Sequence, residues 1–190
     1  LERGSTPPQL ERPIEFPLNC RLARRAEGII VHSEWGRSRF AVMAPEVPVA
    51  HIKMPVKTPN RENSTNGDAN GVVQIAYFGL ITPGKGIQKA LRALKRLKST
   101  HNFHYTLVGE PNSYFDVRSV IREQGMADHV TITGHVSLEE FERRIASTDI
   151  ALNLRERTVG ETSASLCRIM AAGVPAVVFN VGAFSELPGD

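Results

Sequence analysis

From Val72 onward the sequence alternates short apolar runs with amphipathic stretches, and that rhythm admits few folds. The apolar runs cover 72–79, 103–109, 130–133, 150–154 and 176–179, each of strand length. Helices are predicted between them over 86–98, 115–124, a stretch opening at Ser137, and 162–172. In the first of these, Ile87, Ala90, Leu91, Leu94 and Leu97 recur at helical spacing and form the inward face. Lys89, Arg92, Lys95, Arg96 and Lys98 occupy the other face and read as solvated. Ser137 and Glu140 form a capping box, so the third helix is expected to bury Leu138, Phe141 and Ile145. Strand–helix–strand units of this size cross over right-handedly and build a parallel sheet. An all-apolar strand such as Ala176-Val177-Val178-Phe179 suits a sheet covered on both faces. The prediction is a doubly wound α/β domain.

In the common order 3-2-1-4-5, counted from Val72, the chain reverses direction between strands one and four. Ligands sit at the carboxyl ends of those two strands. The loops that fall there are the two richest in chemistry. One runs Gly79-Leu80-Ile81-Thr82-Pro83-Gly84-Lys85-Gly86; the other leads through Arg155 and Arg157 to Gly160-Glu161-Thr162-Ser163. Glycines at positions 79, 84 and 86 allow close approach of backbone to a ligand. Lys85 is either a mobile positive charge for a diphosphate or a solvated turn lysine. The helix after Gly160 presents free amides and the positive end of its dipole, which suits a phosphate. Glu161 either accepts from sugar hydroxyls or favours the helix terminus by charge. Ser163 and Ser165 are caps or phosphate contacts. Arg155, Arg157 and Arg168 surround the same loop, and His135 follows Gly134 one strand out from the crevice. The remaining histidines lack metal-ligand spacing, and neither a Gly-x-Ser-x-Gly elbow nor a Walker A loop is present.

The rest of the chain constrains less. Residues 1–17 contain four prolines and are expected to be loop or disordered. Residues 18–56 suggest a basic helix over 18–26, a buried strand over 28–33, a helix from Glu34 to Met43 capped by Ser33, and a strand over 49–54. Residues 57–71 have linker composition. A net charge of +3 is mild, and without a clustered patch nucleic-acid binding is not implied. No apolar run approaches the ~18 residues of a membrane span. Cys20 and Cys167 are expected as buried thiols, consistent with a reducing compartment. The first residues lack a start methionine and a signal core, and the last form a turn, so the chain reads as a fragment.

Three segments resemble the C-terminal, donor-binding half of a GT-B glycosyltransferase of the large retaining, family-4-like group. They are Ile75-Ala76-Tyr77-Phe78-Gly79 through Lys85-Gly86-Ile87; Tyr105-Thr106-Leu107-Val108-Gly109 with Val130 to Val136; and Gly160-Glu161-Thr162-Ser163 through Met170-Ala171-Ala172-Gly173-Val174-Pro175, followed by Asn180-Val181-Gly182-Ala183. Gly28 to Ser38 resembles the last strand and helix of that family's acceptor domain. The resemblance implies a Rossmann-like domain over 72–190 and a remnant of the acceptor domain over 18–56. It also implies transfer of a sugar from a nucleotide diphosphate to a hydroxyl acceptor with retention. Lys85 would neutralise the diphosphate and Glu161 would hold the transferred sugar, the two catalytic positions. Gly79, Gly84, Gly160 and the backbone at Thr162 and Ser163 would shape the phosphate site, and His135 would lie near the base. Leu80 stands where many members have a phosphate-binding arginine. Arg168 stands where they have a second glutamate, and would meet phosphate or a structural carboxylate. The implied partners are a nucleotide sugar and, in the full-length protein, a glycan or lipid acceptor, with no metal cofactor and no nucleic acid. A cytoplasmic location is implied, peripheral membrane contact stays open, and nothing sets the oligomeric state. The rival readings are a non-catalytic nucleotide-binding module and a nucleotide-sugar epimerase.

Overall fold

A computed structural model describes residues 17–57, 71–156, 158 and 160–188. Of the loop expected over 1–17, residues 1–16 lie outside the described residues, as do most of the 57–71 linker and Arg157, while Pro17 opens a helix instead. The chain divides into two compact units. One gathers Leu1–Pro55, Arg157–Thr162 and Asn180–Asp190; the other gathers Val56–Glu156 and Ser163–Phe179.

The larger unit is the alternating one. Its strands are β3 (Val73–Phe78), β4 (Phe103–Val108), β5 (Val130–Gly134), β6 (Ile150–Asn153) and β7 (Ala176–Val178). All neighbours pair in parallel, in the order β5-β4-β3-β6-β7. Counted from Val72 this is 3-2-1-4-5, as expected. The helices are α3 (Ile87–Leu97), α4 (Val117–Glu123), α5 (Leu138–Ala146) and α6 (Ala164–Ala171). Successive strand residues point to opposite faces. Ile75 and Tyr77 of β3 therefore join Leu91 and Leu94 of α3 and Ile121 of α4 in one core. Ala76 and Phe78 join Ile145 of α5 and Ile169 of α6 in the other. The sheet is thus covered on both faces, and the covering helices change face between β3 and β6.

Some helix and strand readings shift. Leu138 and Leu97, expected inside, are 59% and 41% exposed. Each lies at a helix end, beyond the reach of the sheet. Val177 is half exposed because, among the described residues, β7 is the edge strand of the sheet. Phe115 packs in the core but precedes α4, which Asp116 caps through Ser119 N. Cys20 and Cys167 form no disulfide with each other, and each is only half-buried. Burial pushes the Cys167 thiol above its ordinary range.

The smaller unit contains α1 (Pro17–Ala23), β1 (Ile29–Val31), α2 (Glu34–Met43) and β2 (Val49–His51). β1 and β2 pair in parallel. The strand over 28–33 was expected to be buried, yet Ile30 is 65% exposed, because only one face of this two-stranded ribbon is covered. Its core is small: Ala23, Met43 and Ala44, with Cys20, Ile29, Phe40 and Val47 against them. Ser33 caps α2 by accepting from Gly36 N at 3.0 Å. The carboxylate of Glu186, in the 3-10 turn Gly182–Glu186, accepts from the amides of Glu34 and Trp35. The first turn of α2 is therefore filled by the chain itself.

Candidate functional site

β3 and β6 are the strands between which the covering helices change face, and they are direct neighbours in the sheet. Their carboxyl ends carry the two loops singled out in the sequence. The β3 loop enters the 3-10 turn Pro83–Lys85 and then α3 through Gly86. Gly86 is buried with φ +69°, and a Cβ there would lie 2.2 Å from the Leu154 carbonyl oxygen. Only glycine fits that position. Its role is thus to let the β3 loop touch the end of β6, rather than to make room for a ligand. Gly84 differs, because a Cβ there would meet nothing within 4 Å. Lys85 is half-buried beside it.

Tyr77 anchors the start of this loop. Its hydroxyl donates to the Leu80 carbonyl at 2.8 Å, and burial pushes the phenol well above its ordinary range. Gly79 turns over that ring with φ +131°. The Leu80 side chain, at the place where the resemblance expects an arginine, is 51% exposed. Lys89, read from the sequence as solvated, instead pairs with Glu156 after β6 at 3.3 Å and lies over the Phe179 ring.

At the end of β6, Asn153 is 3% exposed, a polar residue in an otherwise apolar strand. Its amide donates to the Ser163 hydroxyl at 3.3 Å, and that hydroxyl accepts from Leu166 N at 3.3 Å. Ser163 is therefore the cap of α6, and Asn153 holds the cap in place. Among the described residues nothing hydrogen-bonds the amides of Ala164 and Ser165, the first two of the helix. Arg168 is four residues into α6, about 6 Å along the axis from its start, and half-buried.

The β5 loop begins at Gly134, with φ +71°. The backbone amide of the exposed residue His135 donates to the Glu110 carboxylate at 2.9 Å. Glu110 went unnoticed in the sequence reading. The signal was its place directly after a strand and a glycine, at the same carboxyl edge as Lys85 and His135.

Within the smaller unit, the Thr158 hydroxyl accepts from Gly160 N at 3.0 Å and donates to the Glu161 carboxylate at 3.3 Å. The Thr162 hydroxyl donates to the His32 carbonyl at 3.3 Å. Gly182 packs so closely on Thr158 that a Cβ would lie 2.4 Å from its methyl. This network orients Gly160, Glu161 and Thr162. Among the described residues no group of three or more His, Cys, Asp or Glu is placed to hold a metal ion, and no helix is long and apolar enough to cross a membrane.

Comparison with known structures places this fold among the GT-B glycosyltransferases. TarM of S. aureus, solved with fondaparinux, α-GlcNAc-glycerol and UDP, superposes with a TM-score of 0.72 at 14% identity, covering 86% of this chain and 32% of TarM. Sucrose-phosphate synthase of Thermosynechococcus elongatus gives 0.70 at 15%, covering 87% and 43%. HepE of Anabaena in complex with UDP-glucose gives 0.70 at 17%, covering 94% and 53%. The chain thus spans between a third and about half of these proteins. A sequence comparison with curated proteins returned no match. The family model for glycosyl transferases group 1 matches residues 73–190, which is the whole alternating region and the turn after it. On that match the chain belongs to the glycosyl transferases group 1 family.

Proposed function

We propose that this chain is the donor-binding part of a glycosyltransferase that moves a sugar from a nucleotide diphosphate to a hydroxyl acceptor with retention. The observation that carries the reading is the meeting of the Lys85 loop and the capped start of α6 at the carboxyl edge of adjacent strands. In a doubly wound sheet that edge is where ligands bind. In the reaction, the bond from the anomeric carbon to the diphosphate breaks and one to the acceptor oxygen forms. The acceptor proton leaves with the diphosphate. Lys85 and the N-terminal amides of α6 stabilise the departing charge, and Glu161 holds the sugar. His135 lies beside the base, Gly79, Gly84 and Gly160 shape the phosphate path, and Thr162 and Ser163 present backbone to the distal phosphate. Arg168, four residues into α6, serves the phosphate from the side of that helix. The acceptor is a glycan or a lipid, met at a cytoplasmic site, and no metal takes part.

UDP-bearing relatives of the same fold support a nucleotide donor. Calorimetric titration of this chain with UDP, GDP and ADP tests the reading. Saturable binding of one of them, weakened about tenfold or more by Lys85→Ala, is the expected result. Absence of binding by all three would sink it.

A second reading, a non-catalytic nucleotide-binding module, is favoured by the exposed Leu80 and by Arg168 in place of a carboxylate. Glu161→Ala in the full-length protein separates the two. Large loss of transfer supports the enzyme, and nucleotide binding in a parent without transfer supports the module.

A further inference from the structure

Three loops leave the carboxyl edge of β3, β4 and β5, and one residue is bonded to both of its neighbours. Glu110 follows β4, the middle strand of the three. Its carbonyl accepts from Ile81 N at 2.9 Å, and Asn112 N returns a bond to the Ile81 carbonyl at 3.0 Å. Ile81 is fully buried, so this pair pins the segment that leads to Lys85. On the other side the Glu110 carboxylate accepts from His135 N at 2.9 Å. Gly134 turns beneath it, and a Cβ there would lie 3.5 Å from the same carboxylate oxygen. Gly109, with φ +153°, brings the strand end so close to Gly79 that a Cβ would sit 1.9 Å from the Gly79 carbonyl. The three loops are laced together at backbone level; the Thr133 hydroxyl at the end of β5 accepts from Gly109 N, and the Glu110 side chain reaches across to the outer loop itself.

An amide bonded to a carboxylate is held more firmly than one bonded to a neutral group or to water. The consequence is geometric. With the Glu110 bond in place, the His135 backbone has a fixed position relative to the Lys85 loop. Without it, Gly134 stays bridged to Gly109, and the His135 amide just beyond loses its anchor.

We propose that Glu110 is a positioning residue that sets base selectivity, by holding the His135 turn at a fixed distance from the Lys85 loop so that only one class of nucleoside diphosphate spans the two. The inference rests on the donor-site reading above. Glu110 acts through the backbone of His135 and leaves the diphosphate contact to Lys85. Base discrimination and diphosphate affinity should therefore separate on mutation.

The test is calorimetry of the 190-residue chain and its Glu110→Ala and Glu110→Gln variants with UDP, GDP, ADP and inorganic pyrophosphate, together with amide hydrogen exchange at His135. Glu110→Ala should speed exchange at His135 and weaken the preferred nucleotide about tenfold, while pyrophosphate binding stays within about twofold. Its preference among the three bases should shrink by the same factor. Glu110→Gln, which keeps a carbonyl oxygen in place, should recover most of that preference. Equal loss for the nucleotide and for pyrophosphate would reduce Glu110 to a general stabiliser and overturn the proposal. An unchanged base preference in Glu110→Ala would overturn it too, with the donor site left standing. A wild-type chain that binds none of the nucleotides would overturn the donor-site reading and this inference with it, whatever the exchange at His135 shows.

Discussion

The starts of α2 and α6 make an instructive pair. Each helix follows a strand, and each is capped by a buried serine, Ser33 and Ser163, whose hydroxyl accepts from the third amide of the helix. They part at the first two amides. In α2 these go to the carboxylate of Glu186, more than a hundred residues away in sequence. In α6, nothing among the described residues takes them. A helix start favours negative charge in either case. The smaller unit supplies that charge from its own chain, which makes the terminus structural. The sheet unit leaves it for something else, at the edge where ligands of such folds bind. The same local motif is a staple in one unit and a candidate anion site in the other.

The largest expected effect bears on how α6 and the Lys85 loop are brought together. Gly86→Ala should cost about 3 kcal/mol, from a left-handed backbone and a clash with the Leu154 carbonyl. Gly84→Ala, with open space around it, should change stability by less than about 0.5 kcal/mol. Chemical denaturation of the two variants checks the contrast. Equal effects would mean that the loop contact does not hold the crevice in shape.

Removing the two termini's partners sharpens the comparison itself. Ser163→Ala leaves the Leu166 amide and the buried Asn153 without their partner and should cost about 2 kcal/mol. Glu186→Ala should cost about 1 kcal/mol and speed hydrogen exchange at Glu34 and Trp35 without touching nucleotide binding. A loss of binding in Glu186→Ala would show that the two termini are not separate devices.

The smallest effect is a pH dependence confined to the sheet. His104 on β4 is held below its ordinary value near 6.5, first by burial and then by the charge of His129. Its folded pKa lies below its unfolded one, so the unfolded chain binds the proton more readily. The corresponding stability is fully present above about pH 6.5 and is lost as pH falls from there through the folded value. His104→Gln should flatten the slope of denaturation midpoint between pH 7.5 and 5.5 by a small amount; an unchanged slope would place the titration elsewhere.

Much of the sheet unit was legible because its signals are local. Alternation of apolar strands with amphipathic helices gave the parallel sheet, and Ser163 and Ser137 announced their helices. The strand order was an expectation from fold rules, and it holds. Exposure was less legible. Leu138 and Leu97 satisfy the helical period, but period alone does not say where the sheet ends. Lys89 belongs to a basic face by sequence and to a pair with Glu156 by structure. Tyr77, Glu110 and Asn153 were missed because their value lies in partners far along the chain: a carbonyl beneath a loop, an amide on the next strand's turn, and a buried cap.

The sequence by itself determined the kind of sheet, the loops that carry glycine, lysine and glutamate, and the family. These depend on residue type and spacing, which the chain states directly. Only the tertiary structure decided which helix start is filled and which is left, why position 86 must be glycine, and that Glu110 bridges two loops. Those outcomes turn on distances between residues that no spacing rule connects, because hydrogen bonds and steric overlap are settled by where strands lie side by side and not by their order along the chain.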